Sequence, residues 1–125
     1  MKARDFNDEA GLNFQGFVDS HYVIDLEIEP RHHNVMGFVH GGVLCTLLDT
    51  AMARALFCSL PQEKRKSATL EMKVNFLKSS IAGKITAYGK LVNSTKQTAY
   101  VEGHLENEKG RLLAKSSATM MLFET

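Results

Sequence analysis

The chain has 125 residues, 15 Lys and Arg against 14 Asp and Glu, and a formal charge of +1. That length suits one domain with a single core. The near-neutral balance argues against nucleic-acid or membrane-surface binding driven by bulk charge.

The N-terminus, Met-Lys-Ala-Arg-Asp-Phe-Asn-Asp-Glu-Ala, lacks the apolar core of a signal peptide, and no run is read as approaching the ~18 apolar residues of a membrane span. A soluble, cytoplasmic protein is expected. Residues 1–20 carry Phe6, Leu12, Phe14 and Phe17, which suggest a short helix or a loop over an opening.

Tyr22 to Glu29 alternates apolar Tyr22, Ile24, Leu26 and Ile28 with Val23, Asp25, Glu27 and Glu29, and it ends at Pro30; it reads as a strand. Adjacent His32 and His33 have no spaced third ligand, so no metal is expected. Then comes the densest stretch, Asn34-Val-Met-Gly-Phe-Val-His40-Gly41-Gly42-Val-Leu-Cys-Thr-Leu-Leu-Asp49. Glycines at a helix start let a ligand approach the backbone and leave amide N–H groups free for a carbonyl or an oxyanion.

Apolar residues at 43, 44, 47, 48, 51, 52, 55 and 56 give the repeat of a helix with a broad buried face. Cys45 and Cys58 both lie in it, roughly 20 Å apart at the helical rise, so they cannot pair. An acid within such a helix needs a reason. Asp49 shares the bearing of Gly42 and Leu56, on a face where Cys45 and Ala53 are small. It is the first candidate for catalysis, against the plain alternative of an acid held by a strand or by Arg54.

The Gly41 N–H, aided by the helix dipole, suits a carbonyl becoming negative. His40 would orient the loop or touch the substrate, or else serve only the fold. Asn34 would hold a carbonyl or a water through its amide, or else simply form a turn. Gly42 and Asp49 stand about 10 Å apart along the helix axis, too far for one small reacting group to touch both. Two antiparallel copies of the helix across a twofold axis would bring the glycines of one beside the acid of the other, so a homodimer with composite sites is expected.

Downstream, Ala68, Leu70, Met72, Val74 and Phe76 alternate with Thr69, Glu71, Lys73 and Asn75, a half-buried strand. Strands follow at roughly Lys84 to Asn93, Gln97 to Glu106 and Arg111 to Phe123, separated by turn signals. Lys64, Arg65 and Lys66 read as a solvated loop, with the alternative that they join Lys84, Lys90 or Lys96 at the phosphates of a nucleotide-bearing ligand. One long helix with about five antiparallel strands implies an α+β fold, a curved sheet wrapped around the helix.

These residues resemble the hotdog-fold acyl-CoA thioesterases of the phenylacetate-pathway (PaaI-like) and 4HBT-related group. The resemblance runs from about Tyr22 to the C-terminus. Its most specific part is Asn34, His40-Gly41-Gly42 and Asp49, followed by Ser67 to Ser80 and Gly110-Arg-Leu-Leu-Ala-Lys. It implies a dimer, often paired into a tetramer, that hydrolyses acyl-CoA and needs no cofactor, coenzyme A being part of the substrate. It further implies that Gly41 presents its amide to the thioester carbonyl and that Asp49 of the partner subunit is nucleophile or base. Asn34 and His40 would orient the thioester or the water, and Thr69 falls where some members place a hydroxyl beside that water. Gly42 and Lys96 are expected substrate contacts, Lys96 standing where an arginine is common. The alternatives on the same fold are an enoyl-CoA hydratase or dehydratase and a non-catalytic acyl-CoA binder.

Overall fold

The computed structural model describes residues 4–61 and 66–123. In chain order the elements are α1 (Phe6–Ala10), β1 (Asn13–Val18), β2 (His21–Glu27), a short 3-10 turn at Pro30–His32, α2 (Gly41–Ser59), β3 (Lys66–Phe76), β4 (Lys84–Ser94), β5 (Thr98–Glu106) and β6 (Leu112–Phe123). The strands make one antiparallel sheet in the order β1-β2-β4-β5-β6-β3, and α2 packs on its inner face. This is the hotdog arrangement expected from the sequence.

Alternation divides each strand between helix and outer surface. Ile85 and Ala87 of β4, Val101 and Leu105 of β5, and Ala118 and Met120 of β6 are buried against α2. The helix answers with Leu47, Leu48, Ala51, Met52, Ala55 and Leu56, all fully buried. Removing the side chain of any of these leucines would cost about 2–5 kcal/mol, since the cavity left cannot fully collapse. The helix lies very close to the sheet at Gly89, where a Cβ would collide with the Ala51 carbonyl. Glycine is required there by space.

Two expectations change. Helix α2 has 19 residues and a mean hydropathy of 1.4 over its most apolar window, enough by length and composition to cross a membrane. Its buried leucines make it the core helix of this fold. The N-terminal segment, expected as a helix or loop, contains a true strand: β1 pairs with β2, from Asn13 opposite Asp25 to Val18 opposite His21. Phe14 and Phe17 therefore belong to the sheet. The Phe17 ring meets Tyr22 edge-on, and the Phe14 ring lies 5.7 Å from the Arg54 guanidinium carbon.

Strand β3 departs from simple alternation. Its pairing with β6 shifts between Thr69 and Glu71, so Thr69 lies opposite Met120 and Met72 opposite Ala118, with Leu70 as the extra residue of a bulge. Thr69 and Met72 thereby share the inner face although an odd number of positions separates them. The other long edge of β3 has no strand partner, and Leu70 and Phe76 are exposed along it.

Candidate functional site

The start of α2 is built from its own loop. The chain reverses at Asn34, whose Oδ1 accepts from the N–H groups of Met36 (2.9 Å) and Phe38 (3.2 Å), with Gly37 at φ 85°. The turn role is thus real, and it leaves the Asn34 amide with only its N–H donors to offer a ligand. Val39 donates to Ser80 (2.9 Å) and His40 to the His32 carbonyl (2.8 Å), which fastens this loop to the segment after β3.

His40 is the N-cap of α2, and its Nδ1 accepts the Gly42 N–H at 2.8 Å. The ring is therefore neutral with its proton on Nε2 while that cap is made. The Gly42 N–H is consumed, so Gly42 can touch a substrate only through its Cα surface. Among the described residues the Gly41 N–H has no acceptor, and it is the donor at the helix start that remains for a ligand.

Gly41 and Asn34 line a cavity of about 360 Å³ together with Phe38, Leu44, Phe76 and Lys78. Among the described residues no carboxylate lines it. Lys78 also borders a neighbouring basic space of about 480 Å³, which receives Lys109 and Arg111. The one acid among its described lining residues, Glu108, is engaged by the Lys84 N–H at 2.6 Å. The sequence had suggested other lysines for this purpose. Lys96 stands in the β4–β5 turn, at the opposite end of β4 from Lys84, and borders neither space. Lys90 lies on the outer sheet face, and Lys64 and Arg65 are outside the described residues.

Asp49 lies two turns along α2, half-buried, and its Oδ1 accepts a 2.8 Å hydrogen bond from the Thr69 hydroxyl. Oδ2 has no partner among the described residues. Cys45, one turn before, carries a thiol near this acid. Burial and then the negative charge of Asp49 push its thiol pKa up, so at neutral pH it remains protonated and is a poor attacking group.

Thus one chain joins Asp49 to Thr69 and, separately, Asn34, His40 and Gly41 at the helix start. It does not bring the two groups together. The histidines before the site serve the fold: His32 accepts from the Glu29 N–H and donates Nε2–H to the Ala10 carbonyl at 2.7 Å, and His33 Nε2 contacts the Ile81 carbonyl at 2.6 Å. Sequence reading missed Phe76 and Lys78 as cavity walls, although both stand in the Ser67 to Ser80 segment that carries the resemblance.

The profile of the thioesterase superfamily (4HBT) matches residues 36–114. The chain is 30% identical over 98 residues to 1,4-dihydroxy-2-naphthoyl-CoA hydrolase of Listeria monocytogenes, covering 78% of this chain and 79% of that one. It is 25% identical over 126 residues to acyl-coenzyme A thioesterase 13 of Homo sapiens, covering 97% and 87%. A thioesterase of Haemophilus influenzae superposes with a TM-score of 0.89 at 21% identity, over 94% of this chain and 82% of that one. With a free amide at a glycine helix start, a helical carboxylate and a family match spanning both, the chain belongs to the thioesterase superfamily and is a thioester hydrolase.

Proposed function

We propose that the protein hydrolyses an acyl-CoA thioester at a composite site between two copies of the chain. The observation that carries this reading is the division of labour just described: the cavity beside the free Gly41 N–H has no acid among its described lining residues, and the Asp49–Thr69 pair lies about 12 Å further along the same helix. An antiparallel second copy supplies the missing carboxylate to each cavity. The unpaired edge of β3 with exposed Leu70 and Phe76 is the surface on which such a copy would pair, since an open strand edge and apolar side chains both gain from coverage.

In the reaction, the thioester carbonyl oxygen accepts from Gly41 N–H, which opposes the charge that develops on it as the carbon becomes tetrahedral. Asn34 offers a further donor through its amide. Asp49 of the second copy, aligned by Thr69, acts on the carbonyl carbon directly or by taking a proton from the attacking water. A C–O bond forms, the C–S bond breaks, and the sulfur leaves as a thiolate that takes up a proton; on the direct route water then cleaves the acyl–Asp49 anhydride, releasing the acid and restoring the carboxylate. A thioester needs no stronger nucleophile. Coenzyme A is favoured as the thiol because Lys78, Lys109 and Arg111 gather cations beside the Gly41 cavity, where phosphates would be neutralised. Two of the relatives are named for CoA thioesters, one of them aromatic.

The test is thiol release from aryl-CoA and two- to sixteen-carbon acyl-CoA thioesters, followed with a thiol-reactive dye, with Asp49→Ala as the paired control. Turnover by the wild type and its loss in the variant are expected. Water addition to an enoyl-CoA with no thiol release would instead favour a hydratase.

A further inference from the structure

A third space flanks the start of α2. It encloses about 250 Å³ and is walled by Phe6 and Ala10 of α1 and by His40, Gly42, Val43 and Thr46. At 100° per residue, Gly42, Val43 and Thr46 point to roughly the opposite bearing from Gly41 and Leu44, which line the Gly41 cavity. The glycine turn is thus a saddle, with a cavity leading to cations on one side and this space on the other.

Among the described residues its lining is almost wholly apolar. The Gly42 N–H is donated to His40 Nδ1 (2.8 Å), and the Thr46 hydroxyl is donated to the Gly42 carbonyl (2.9 Å). The remaining walls are the hydrocarbon of Phe6, Ala10, Leu12 and Val43 and the His40 ring, so an apolar occupant best avoids the cost of unpaired polar atoms. The outer wall is also fixed in place. Helix α1 starts with a reciprocal Asp5–Asp8 capping box and ends at Gly11 with φ 87°. It is tied to the body by His32 Nε2 on the Ala10 carbonyl (2.7 Å), by Arg31 on the Glu9 carbonyl, and by Thr50 on Asn7 (3.4 Å).

We infer that this space holds the acyl group of the thioester and that α1 limits its size. The inference rests on the thioesterase reading above. The volume is that of about eight liquid waters, so it suits an acyl group of roughly that many non-hydrogen atoms, a single aromatic ring or a medium aliphatic chain. Phe6 forms the rim and decides where a longer chain stops.

The experiment is calorimetric titration of the wild type, Phe6→Ala and Ala10→Phe with uncleavable S-alkyl-CoA thioethers bearing two, eight or sixteen carbons, beside turnover of the matching thioesters. Ala10→Phe fills the space and should weaken the eight-carbon thioether by about ten-fold or more while leaving the two-carbon one within about two-fold. Phe6→Ala opens the rim and should improve the sixteen-carbon thioether relative to the eight-carbon one. Because Phe6 is largely exposed, this second variant decides the matter if Ala10→Phe does not fold. Equal changes for all three thioethers, or none in Phe6→Ala, would overturn the assignment. Chain-dependent binding without turnover of any thioester would uphold this pocket and sink the hydrolase reading instead.

Discussion

The Thr69 hydroxyl donates to Asp49 Oδ1 at 2.8 Å across the gap between β3 and α2. One carboxylate oxygen is held and the other has no partner among the described residues. The arrangement depends on the bulge at Leu70, because unbroken alternation would give Thr69 the outer face together with Glu71 and Lys73.

On the proposed mechanism Asp49→Ala should fold and lose hydrolysis by at least about a thousand-fold, since it removes the group assigned to the reaction. Thr69→Val should lower kcat by about ten-fold or more with little change in KM, and Thr69→Ser should recover most of it, because only the hydroxyl aligns the acid. Steady-state kinetics on one good substrate checks both. Unaltered kcat in Thr69→Val would make the contact merely structural.

A composite site predicts complementation between two defective chains. Asp49→Ala keeps the helix start, and a variant damaged at the start, such as Gly41→Pro, keeps the acid. Each mixed dimer would then hold one intact site of its two, so a random equal mixture, refolded together, should regain about a quarter of wild-type activity. Neither variant should be active alone. A mixture that forms mixed dimers without activity would place both groups in one subunit.

Cys45 lies under the influence of Asp49, which, together with burial, holds its thiol above the ordinary cysteine range. Alkylation of Cys45 at neutral pH should be slow, and Asp49→Asn should speed it several-fold by removing the charge that opposes the thiolate. Cys58 is exposed, so the comparison belongs in a Cys58→Ser background read by mass spectrometry. Equal rates with Asp and Asn would show that the charge is not felt at Cys45.

On the outer sheet face, His104 stacks on Tyr88 with ring centroids 4.7 Å apart and meets His21 edge-on. Burial holds its pKa below the ordinary imidazole value; Glu106 opposes this by its charge and a 3.2 Å contact, while His21 and Lys115 reinforce it. With the folded-state value lowered, the unfolded chain binds the proton more readily as pH falls. Stability should therefore be full above about pH 6.5 and decline as pH drops through the lowered folded value. Thermal melting at neutral and mildly acidic pH should show that decline, and His104→Gln should lessen it. An unchanged slope in His104→Gln would assign the decline to other groups.

Much of this was legible in the residues alone. The period at positions 43 to 56 placed α2, and two-residue alternation placed β2 and the last strands, because both signals report burial on one face and burial is what folding rewards. The glycines that open α2 and the unexplained Asp49 marked the candidate groups for a similar reason, as polar or flexible residues where the helix wanted neither. The strand β1 was missed because Phe14 and Phe17 do not alternate, and its pairing with β2 shifts between Phe14 and Gly16. Periodicity is silent across such a break.

What the sequence by itself determined is α2, strands β2 to β6 and the identity of the candidate acid and amide, since periodicity and helix-start chemistry are local. The tertiary structure decided which groups are already spent and which remain free. His40 consumes the Gly42 N–H and leaves that of Gly41; the Leu70 bulge turns Thr69 onto Asp49; the loop after β3 sets Lys78 between two cavities. Each of these depends on hydrogen bonds or register between residues distant in the chain, and no local pattern encodes that pairing.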